Sequence, residues 1–302
     1  MNLTATLWRH SVSVSSRVDP TKTTAVTRRF TADMLRRFRN LQKLIKRVVV
    51  DENAFGIVER ERTLAIQKGQ FEFKRPAEKV AAFLDWLYEV SFDEILEIKY
   101  GTPIRSAARD AWSNIYLDTA YQRGIRQAGE EMRGAGAVVK DSWIRAGFNR
   151  PIHADRVGLV HTRAFELLGK VTEDMAQNMS DVLAQGIAEG LNPEEIASTL
   201  TNRVEKIGIR RAKMICRTEI IAAHAAAALI SYKEAALDGV RIKAEFLSTD
   251  DDRRCPECEE KERFYAANPI PIYEADGIIP VHPNCRCTWI PALEDLEGLI
   301  LE

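Results

Sequence analysis

Four of the five cysteines cluster near the C-terminal end, and their spacing constrains the fold more than any other feature. Cys255 and Cys258 form a Cys-x-x-Cys turn that brings two sulfurs within reach of one ion. Cys285 and Cys287 point to the same side of an extended segment, because strand side chains alternate with period two. Four sulfurs complete a tetrahedral zinc site, so the pattern predicts structural Zn²⁺ bound by these cysteines, with His282 as an alternative ligand.

Two alternatives stay open for this cluster: a pair of disulfides formed after release from the cell, or unligated thiols. The first twenty residues lack the basic start and apolar core of a signal peptide. We therefore expect synthesis in a reducing cytoplasm, where clustered cysteines are more often metal ligands than disulfides.

The bulk composition is typical of a soluble globular protein, with 45% hydrophobic and 29% charged residues. The longest apolar run, residues 220–230, is far shorter than the roughly 20 residues that cross a bilayer, so we expect no membrane association. The net charge of −1 implies that any binding to nucleic acid comes from a local patch of charge.

Apolar residues recur at helical spacing along most of the chain, and after residue 238 the pattern changes to the alternation typical of strands. The pattern predicts a mainly α fold, with an elongated helical body and a small C-terminal α+β module that resembles a zinc knuckle. In this module we expect a strand at residues 241–247, a turn and short helix at 255–263, and a closing strand at 286–291.

The sequence divides into four predicted regions. They are an N-terminal arm at residues 1–18, an N-terminal helical region with a basic helix at 19–150, a central helical region at 151–238, and a Cys-rich α+β module at 239–302.

Local signals predict where individual helices begin. Asp19 is a suitable cap and Pro20 suits a first helical position, so we expect a helix from there to about residue 50. Asn192, Pro193 and Glu195 form the pattern of a capping box at the start of a later helix.

The last long helix, predicted at residues 209–236, has a narrow stripe of small and branched residues that favours close packing against another helix. The stripe consists of Ala212, Cys216, Ile220, Ala223, Ala227 and Ile230. On this stripe Cys216 is predicted to be a buried small apolar group and not a ligand. His224 flanks the stripe and is predicted to be a hydrogen-bonded structural residue.

The first long helix is strongly basic on its polar faces. Its cations are Arg28, Arg29, Arg36, Arg37, Arg39, Lys43, Lys46 and Arg47. One interpretation is an ordinary solvated helix surface. The other is a strip that contacts DNA phosphates or an acidic protein surface, without base recognition because no base-reading motif accompanies it.

The sequence contains no catalytic motif that we can assign. It has no His-x-Glu of a zinc deaminase, no glycine-rich phosphate loop and no nucleophile elbow. His282 and Asn284 near the cysteines keep a metal-dependent HNH-like nuclease as an alternative. We expect a protein that is not an enzyme.

Several motifs resemble the phage head morphogenesis family, the Mu F-like minor capsid proteins. The first is Arg217-Thr-Glu219, with His224 five residues on. The second is Asp-x-Arg-x-Cys-x-x-Cys, which here ends at Cys258, and the third is His282-Pro-Asn-Cys-Arg-Cys287. Weaker similarity begins at Asp19, so that the resemblance extends over most of the chain.

The resemblance implies a minor structural component of the virion, located in the phage head near the portal and assembled in the host cytoplasm. The implied partners are the portal protein, with major capsid protein, scaffolding protein and packaged DNA as further candidates. The competing hypotheses are the HNH-like nuclease and a free DNA-binding zinc protein.

Overall fold

The computed structural model describes residues 8–10, 18–53, 76–294 and 300–301. Helices dominate these residues. They are α1 (Thr24–Lys46), α2 (Pro76–Ser91), α3 (Ile104–Arg109), α4 (Asn114–Gly134), α5 (Asp141–Gly147), α6 (Pro151–Glu189), α7 (Pro193–Arg203), α8 (Arg210–Leu237), α9 (Pro256–Ala267) and α10 (Ile272–Ala275). Three π-helical segments continue helices, at Arg47–Asp51, Phe92–Leu96 and Val204–Ile209.

The strands form two small sheets. They are β1 (Trp8–His10), β2 (Val138–Val139), β3 (Ile242–Leu247), β4 (Thr288–Glu294) and β5 (Ile300–Leu301). The first sheet is antiparallel with the order β1-β4-β3, and β2 pairs in parallel with β5. A mainly helical fold with a small C-terminal sheet is therefore confirmed.

The described chain divides into two compact units, each made of several stretches. The first unit comprises Met1–Phe30, Ser113–Arg163 and Ile215–Glu302, and the second comprises Thr31–Trp112 and Ala164–Met214. The division into four consecutive regions stays a prediction, and most of the predicted arm at residues 1–18 lies outside the described residues.

Helix α8 packs tightly against α4 in the first unit. The Gly124 backbone lies so close to α8 that an added Cβ would be 2.5 Å from the His224 carbonyl oxygen and 2.7 Å from the Ala227 Cβ. The predicted stripe of small residues is therefore confirmed as a close-packing surface at Ala227. Cys216 is fully buried, as predicted.

The cysteine-bearing module shares its core with these helices. Phe246 and Trp289, from the sheet, lie in one apolar cluster with Trp143 of α5 and Tyr232 of α8. The Tyr232 hydroxyl is 3.2 Å from the Trp289 carbonyl oxygen. A module with so few apolar residues is stabilised by burying them against larger helices.

One helix begins later than the sequence predicts. The Lys22 backbone has a φ of +53°, a left-handed conformation that cannot continue into an α-helix, so α1 starts at Thr24 and not at Pro20. Asp19 still contributes, because its carboxylate accepts a hydrogen bond from the Thr24 N–H at 3.3 Å. The capping box at Asn192 and Glu195 is confirmed.

One stretch, Pro193–Leu237, is long and apolar enough to cross a membrane by length and composition alone. Its most apolar window is 78% buried inside the protein, as in the core helix of a folded domain.

Candidate metal centre

The first pair of cysteines lies at the start of α9. Cys255 is the N-cap, with extended backbone, and Pro256 follows at the first helical position. The Cys258 N–H donates a hydrogen bond to the Cys255 sulfur at 3.3 Å. The helix start therefore positions both sulfurs on the same side of the turn.

The second pair follows a tight turn after α10. The Cys285 N–H donates to the His282 carbonyl oxygen at 3.1 Å, and Asn284 adopts a left-handed φ of +65°. The Asn284 N–H donates to the Thr218 hydroxyl of α8 at 3.1 Å. This contact attaches the turn to the helix that carries the Arg-Thr-Glu motif.

The structure brings all five predicted ligands together as two groups of three. In one group Cys255, Cys258 and His282 have ligand atoms within 4.8 Å of one another. In the other group the same limit holds for the sulfurs of Cys258, Cys285 and Cys287. Cys258 belongs to both groups and is therefore the centre of the cluster.

The imidazole of His282 is oriented for metal binding. Its Nδ1–H donates to the Pro283 carbonyl oxygen at 2.8 Å, which leaves the lone pair of Nε2 available. Nε2 lies 3.1 Å from the sulfurs of both Cys255 and Cys258. Hydrogen bonding of the other ring nitrogen is the usual arrangement for a histidine ligand.

Proximity couples the ionisation of the buried sulfurs. Hydrogen bonds from Cys258 and Cys287 lower the pKa of the Cys285 thiol, and the same contact with Cys285 raises the pKa of the Cys258 thiol. A divalent cation would hold all of them as thiolates. Thiolate sulfurs and imidazole nitrogens are typical ligands of structural zinc. The cluster can therefore hold a metal ion.

An arginine–aspartate clasp joins the two ligand-bearing segments. Asp251 precedes the first cysteine pair, and Arg286 lies between Cys285 and Cys287. The Asp251 carboxylate accepts two hydrogen bonds from the Arg286 guanidinium, both at 2.6 Å. It also accepts hydrogen bonds from the Arg253 side chain at 2.8 Å and backbone at 3.2 Å. These contacts, with Arg286 first, hold the pKa of the Asp251 carboxyl well below its usual range.

We predict that Asp251→Asn weakens zinc affinity about tenfold, because a supporting hydrogen-bond partner that positions ligand segments typically contributes this much. The measurement is a competition titration with a chromogenic zinc chelator. Glu260→Gln, which changes an exposed carboxylate of α9, is the control and should leave the affinity unchanged. Equal affinities for the Asp251 variant and the unmodified protein would contradict the prediction.

The acidic residue of the Arg-Thr-Glu motif is buried and paired. Glu219 is 2% exposed, and its Oε2 accepts a hydrogen bond from the Arg163 Nε at 2.9 Å. Burial raises the pKa of the Glu219 carboxyl, although Arg163 opposes this effect. Folding therefore disfavours the charged form of Glu219. The free-energy cost of burying this charge appears as pH rises above the pKa that the carboxyl has in the unfolded chain.

We predict that Arg163→Gln destabilises the first unit by about 2 kcal/mol at pH 8, because the buried carboxylate loses its charged partner. The loss should be smaller at pH 5 than at pH 8, because the raised pKa of the Glu219 carboxyl favours its uncharged form as pH falls. Thermal unfolding at both pH values measures the difference. Arg126→Gln, an exposed cation of α4, is the control. A loss that does not depend on pH would exclude Glu219 as the cause.

His224 is a structural residue, as predicted. It is 1% exposed, and its Nε2 is 3.2 Å from the Gln127 Oε1 of α4. Its Nδ1 is 3.4 Å from the Thr288 hydroxyl of β4. Burial lowers the pKa of His224 to about 4, so the ring is neutral at physiological pH.

The cations of α1 have different environments. Arg37 stacks on Trp112, with its guanidinium carbon 3.8 Å from the ring centre, and pairs with Glu97 at 2.6 Å. Arg36 pairs with Asp33 at 2.8 Å and Arg47 with Glu52 at 3.3 Å. The remaining predicted contact residues are exposed: Arg28, Arg29, Arg39, Lys43 and Lys46.

Comparison with known families identifies the part of the chain that carries the site. Residues 177–290 match the family model described as phage Mu protein F like protein. This part of the chain is similar to the phage Mu F-like family. The matched segment contains all five candidate metal ligands, the Asp251 clasp and Glu219, whereas α1 lies outside it.

Comparison with a curated relative and with solved structures gives less information about this chain than the match to the Mu F-like family model. The chain is 27% identical over 172 residues to NAD(+)--arginine ADP-ribosyltransferase EFV of Enterococcus faecalis (strain ATCC 700802 / V583). The alignment covers 53% of this chain and 33% of the relative, so the chain spans about a third of that protein's length. No solved structure matches the chain significantly.

Sequence reasoning missed two features of the Mu F-like segment. The clasp between Asp251 and Arg286 was not predicted, although arginine next to each cysteine pair was visible. The burial of Glu219 was also missed, because its partner Arg163 is 56 positions away in the chain.

Proposed function

We propose that the protein is a minor structural component of the phage head, assembled in the host cytoplasm and incorporated at the portal vertex. The observation that carries the proposal is the match of residues 177–290 to the phage Mu F-like family. Portal protein is the proposed main partner, with major capsid or scaffolding protein as additional contacts.

The proposed role of the cysteine cluster is to hold the fold. Zn²⁺ would be bound by Cys255, Cys258, Cys285 and Cys287, with His282 as the alternative to one of the sulfurs. Four protein ligands leave no open position for water, so such an ion stabilises structure and does not activate a nucleophile. Exposed cations of α1 are proposed to contact packaged DNA through its phosphates.

Mass spectrometry of purified virions tests the structural role. The expected result is the intact chain in virions at low copy number, together with co-purification of tagged protein with portal protein from infected cells. Absence from virions, combined with no affinity for purified portal protein, would refute the proposal.

A metal-dependent nuclease remains the second candidate, because His282 and Asn284 lie next to a metal-binding cluster. The position of His282 argues against it, since Nδ1 bonds the Pro283 carbonyl and Nε2 faces two sulfurs. Incubation with plasmid DNA and Mg²⁺ or Mn²⁺, beside His282→Ala, tests this candidate. We expect no cleavage by either protein.

The ADP-ribosyltransferase relative suggests a direct check of the non-enzymatic proposal. Purified protein incubated with labelled NAD⁺ and an arginine-rich acceptor should transfer no label. Transfer above the level of a heat-denatured sample would refute the non-enzymatic proposal.

A further inference from the structure

Within the second unit, α1 packs beside the stretch formed by α7, the π-helical segment Val204–Ile209 and the start of α8. The Gln42 side-chain amide donates a hydrogen bond to the Thr201 carbonyl oxygen at 3.0 Å. The Phe38 ring lies against the Gly208 backbone, with no room for a Cβ between them. The two contacts define a line along which the two helical stretches meet.

Both helical stretches carry exposed cations close in sequence to these contact residues. On α1, Arg39 and Lys43 each follow a contact residue, and Lys46 lies one turn further. On the other stretch, Arg211 pairs with Asp174, and four other exposed cations lie near Thr201 and Gly208 in the chain. They are Arg203, Lys206, Arg210 and Lys213. Within the part of the chain that the structure describes, none of these cations forms an ion pair, and the acid interspersed among the second group is Glu205.

The same segments lack the apolar anchors that protein partners use. The exposed large hydrophobic residues of the described chain lie elsewhere, at Val18, Tyr100, Ile104, Ile115, Val138, Leu159, Leu237, Phe264 and Tyr273. Protein–protein interfaces depend on buried aromatic and aliphatic anchors, whereas protein–DNA interfaces are polar and strongly positive. A positive surface without apolar anchors therefore fits a polyanion better than an acidic protein.

We propose that Arg39, Lys43 and Lys46 of α1 and the exposed cations of the α7–α8 stretch form one surface, which binds the phosphate backbone of double-stranded DNA without sequence preference. The α7–α8 residues are the new part of the site, and they supply four exposed cations that form no ion pair within the described residues, against three from the part of α1 in this unit. The inference rests on the proposed function, in which the protein meets packaged DNA. Recognition is electrostatic because flexible lysine and arginine side chains on helix surfaces can each neutralise one phosphate.

The test measures binding of two unrelated DNA duplexes by fluorescence anisotropy at several salt concentrations. The first variant carries Lys206→Gln, Arg210→Gln and Lys213→Gln, and the second carries Arg39→Gln, Lys43→Gln and Lys46→Gln. The matched control removes the same charge from exposed positions on other helices, through Arg105→Gln, Arg126→Gln and Arg145→Gln. Thermal unfolding verifies that each variant is folded.

We expect the unmodified protein and the control to bind both duplexes equally, with affinity falling steeply as salt rises. Log of the association constant falls with log of the salt concentration. In each of the other two variants this slope should be less steep by about 2 to 3, because each lost phosphate contact reduces its steepness by about 0.9. Their binding at low salt should be at least about tenfold weaker. An α7–α8 variant with the same slope and affinity as the control would overturn the inference.

Two further outcomes separate the inference from the proposed function. Presence in virions without any DNA binding overturns the DNA surface and leaves the structural role intact. DNA binding that is lost in both test variants, by a protein absent from virions, supports the surface and refutes the structural role. Binding to polyglutamate but not to DNA would assign the surface to an acidic protein and overturn the inference.

Discussion

Substitution of Cys258 by serine is expected to abolish stoichiometric zinc binding and to unfold the cysteine-bearing module. Cys258 is the ligand shared by both groups of the cluster and is 4% exposed. Its loss should weaken binding by more than the roughly 10- to 100-fold that loss of a supporting hydrogen-bond partner costs. Structural zinc sites contribute on the order of 10 kcal/mol of binding free energy, so we expect the stability of the module to depend on the ion.

Metal content by mass spectrometry and thermal unfolding with and without a chelator measure this effect. Cys216→Ala is the matched control, because it removes another buried thiol that lies outside both ligand groups. The control should retain one zinc ion per chain. A Cys258→Ser protein that retains the same zinc content as the control would show that the cluster is not a metal centre.

The single variants Cys255→Ser and His282→Ala determine how the fourth position is filled. If four sulfurs hold the ion, only the cysteine variant loses zinc. If the His282 imidazole replaces the Cys255 sulfur, only the histidine variant loses zinc. Cys255 and His282 both lie beside Cys258 at the edge of the cluster. The zinc content of the two variants therefore shows which of these side chains is the fourth ligand.

Replacement of Gly124 by alanine is expected to destabilise the first unit by about 3 kcal/mol, although alanine is the better helix former. The added Cβ would lie 2.5 Å from the His224 carbonyl oxygen, and a backbone atom of a packed helix cannot move aside cheaply. The strain should also disturb His224 and its contact with Gln127, which joins α8 to α4.

Gly158→Ala in α6 is the control for this prediction. Nothing lies within 4 Å of the position where its Cβ would be, so this substitution should stabilise the protein by about 0.5 to 1 kcal/mol through helix propensity. Chemical unfolding followed by tryptophan fluorescence measures both variants. Similar stabilities for the two variants would mean that α4 and α8 are not packed as closely as described.

The sequence alone was sufficient for features that depend on neighbours in the chain. The capping box at Asn192 and Glu195, the strand over residues 242–247 and the helix that follows Cys255 were all predicted from local spacing. The burial of Cys216 followed from helical periodicity. These features are local because hydrogen bonding and side-chain alternation within a few residues decide them.

Tertiary structure decided which distant groups meet. The pairing of Asp251 with Arg286 and of Glu219 with Arg163, and the position of the α7–α8 cations beside α1, have no local signal. The start of α1 was predicted wrongly because the left-handed Lys22 is not marked by its residue type. Charged side chains are compatible with many positions on a protein surface, whereas a given cysteine spacing or apolar periodicity is compatible with few local structures. For this reason the candidate ligands were readable from the sequence, and their arrangement around Cys258 was not.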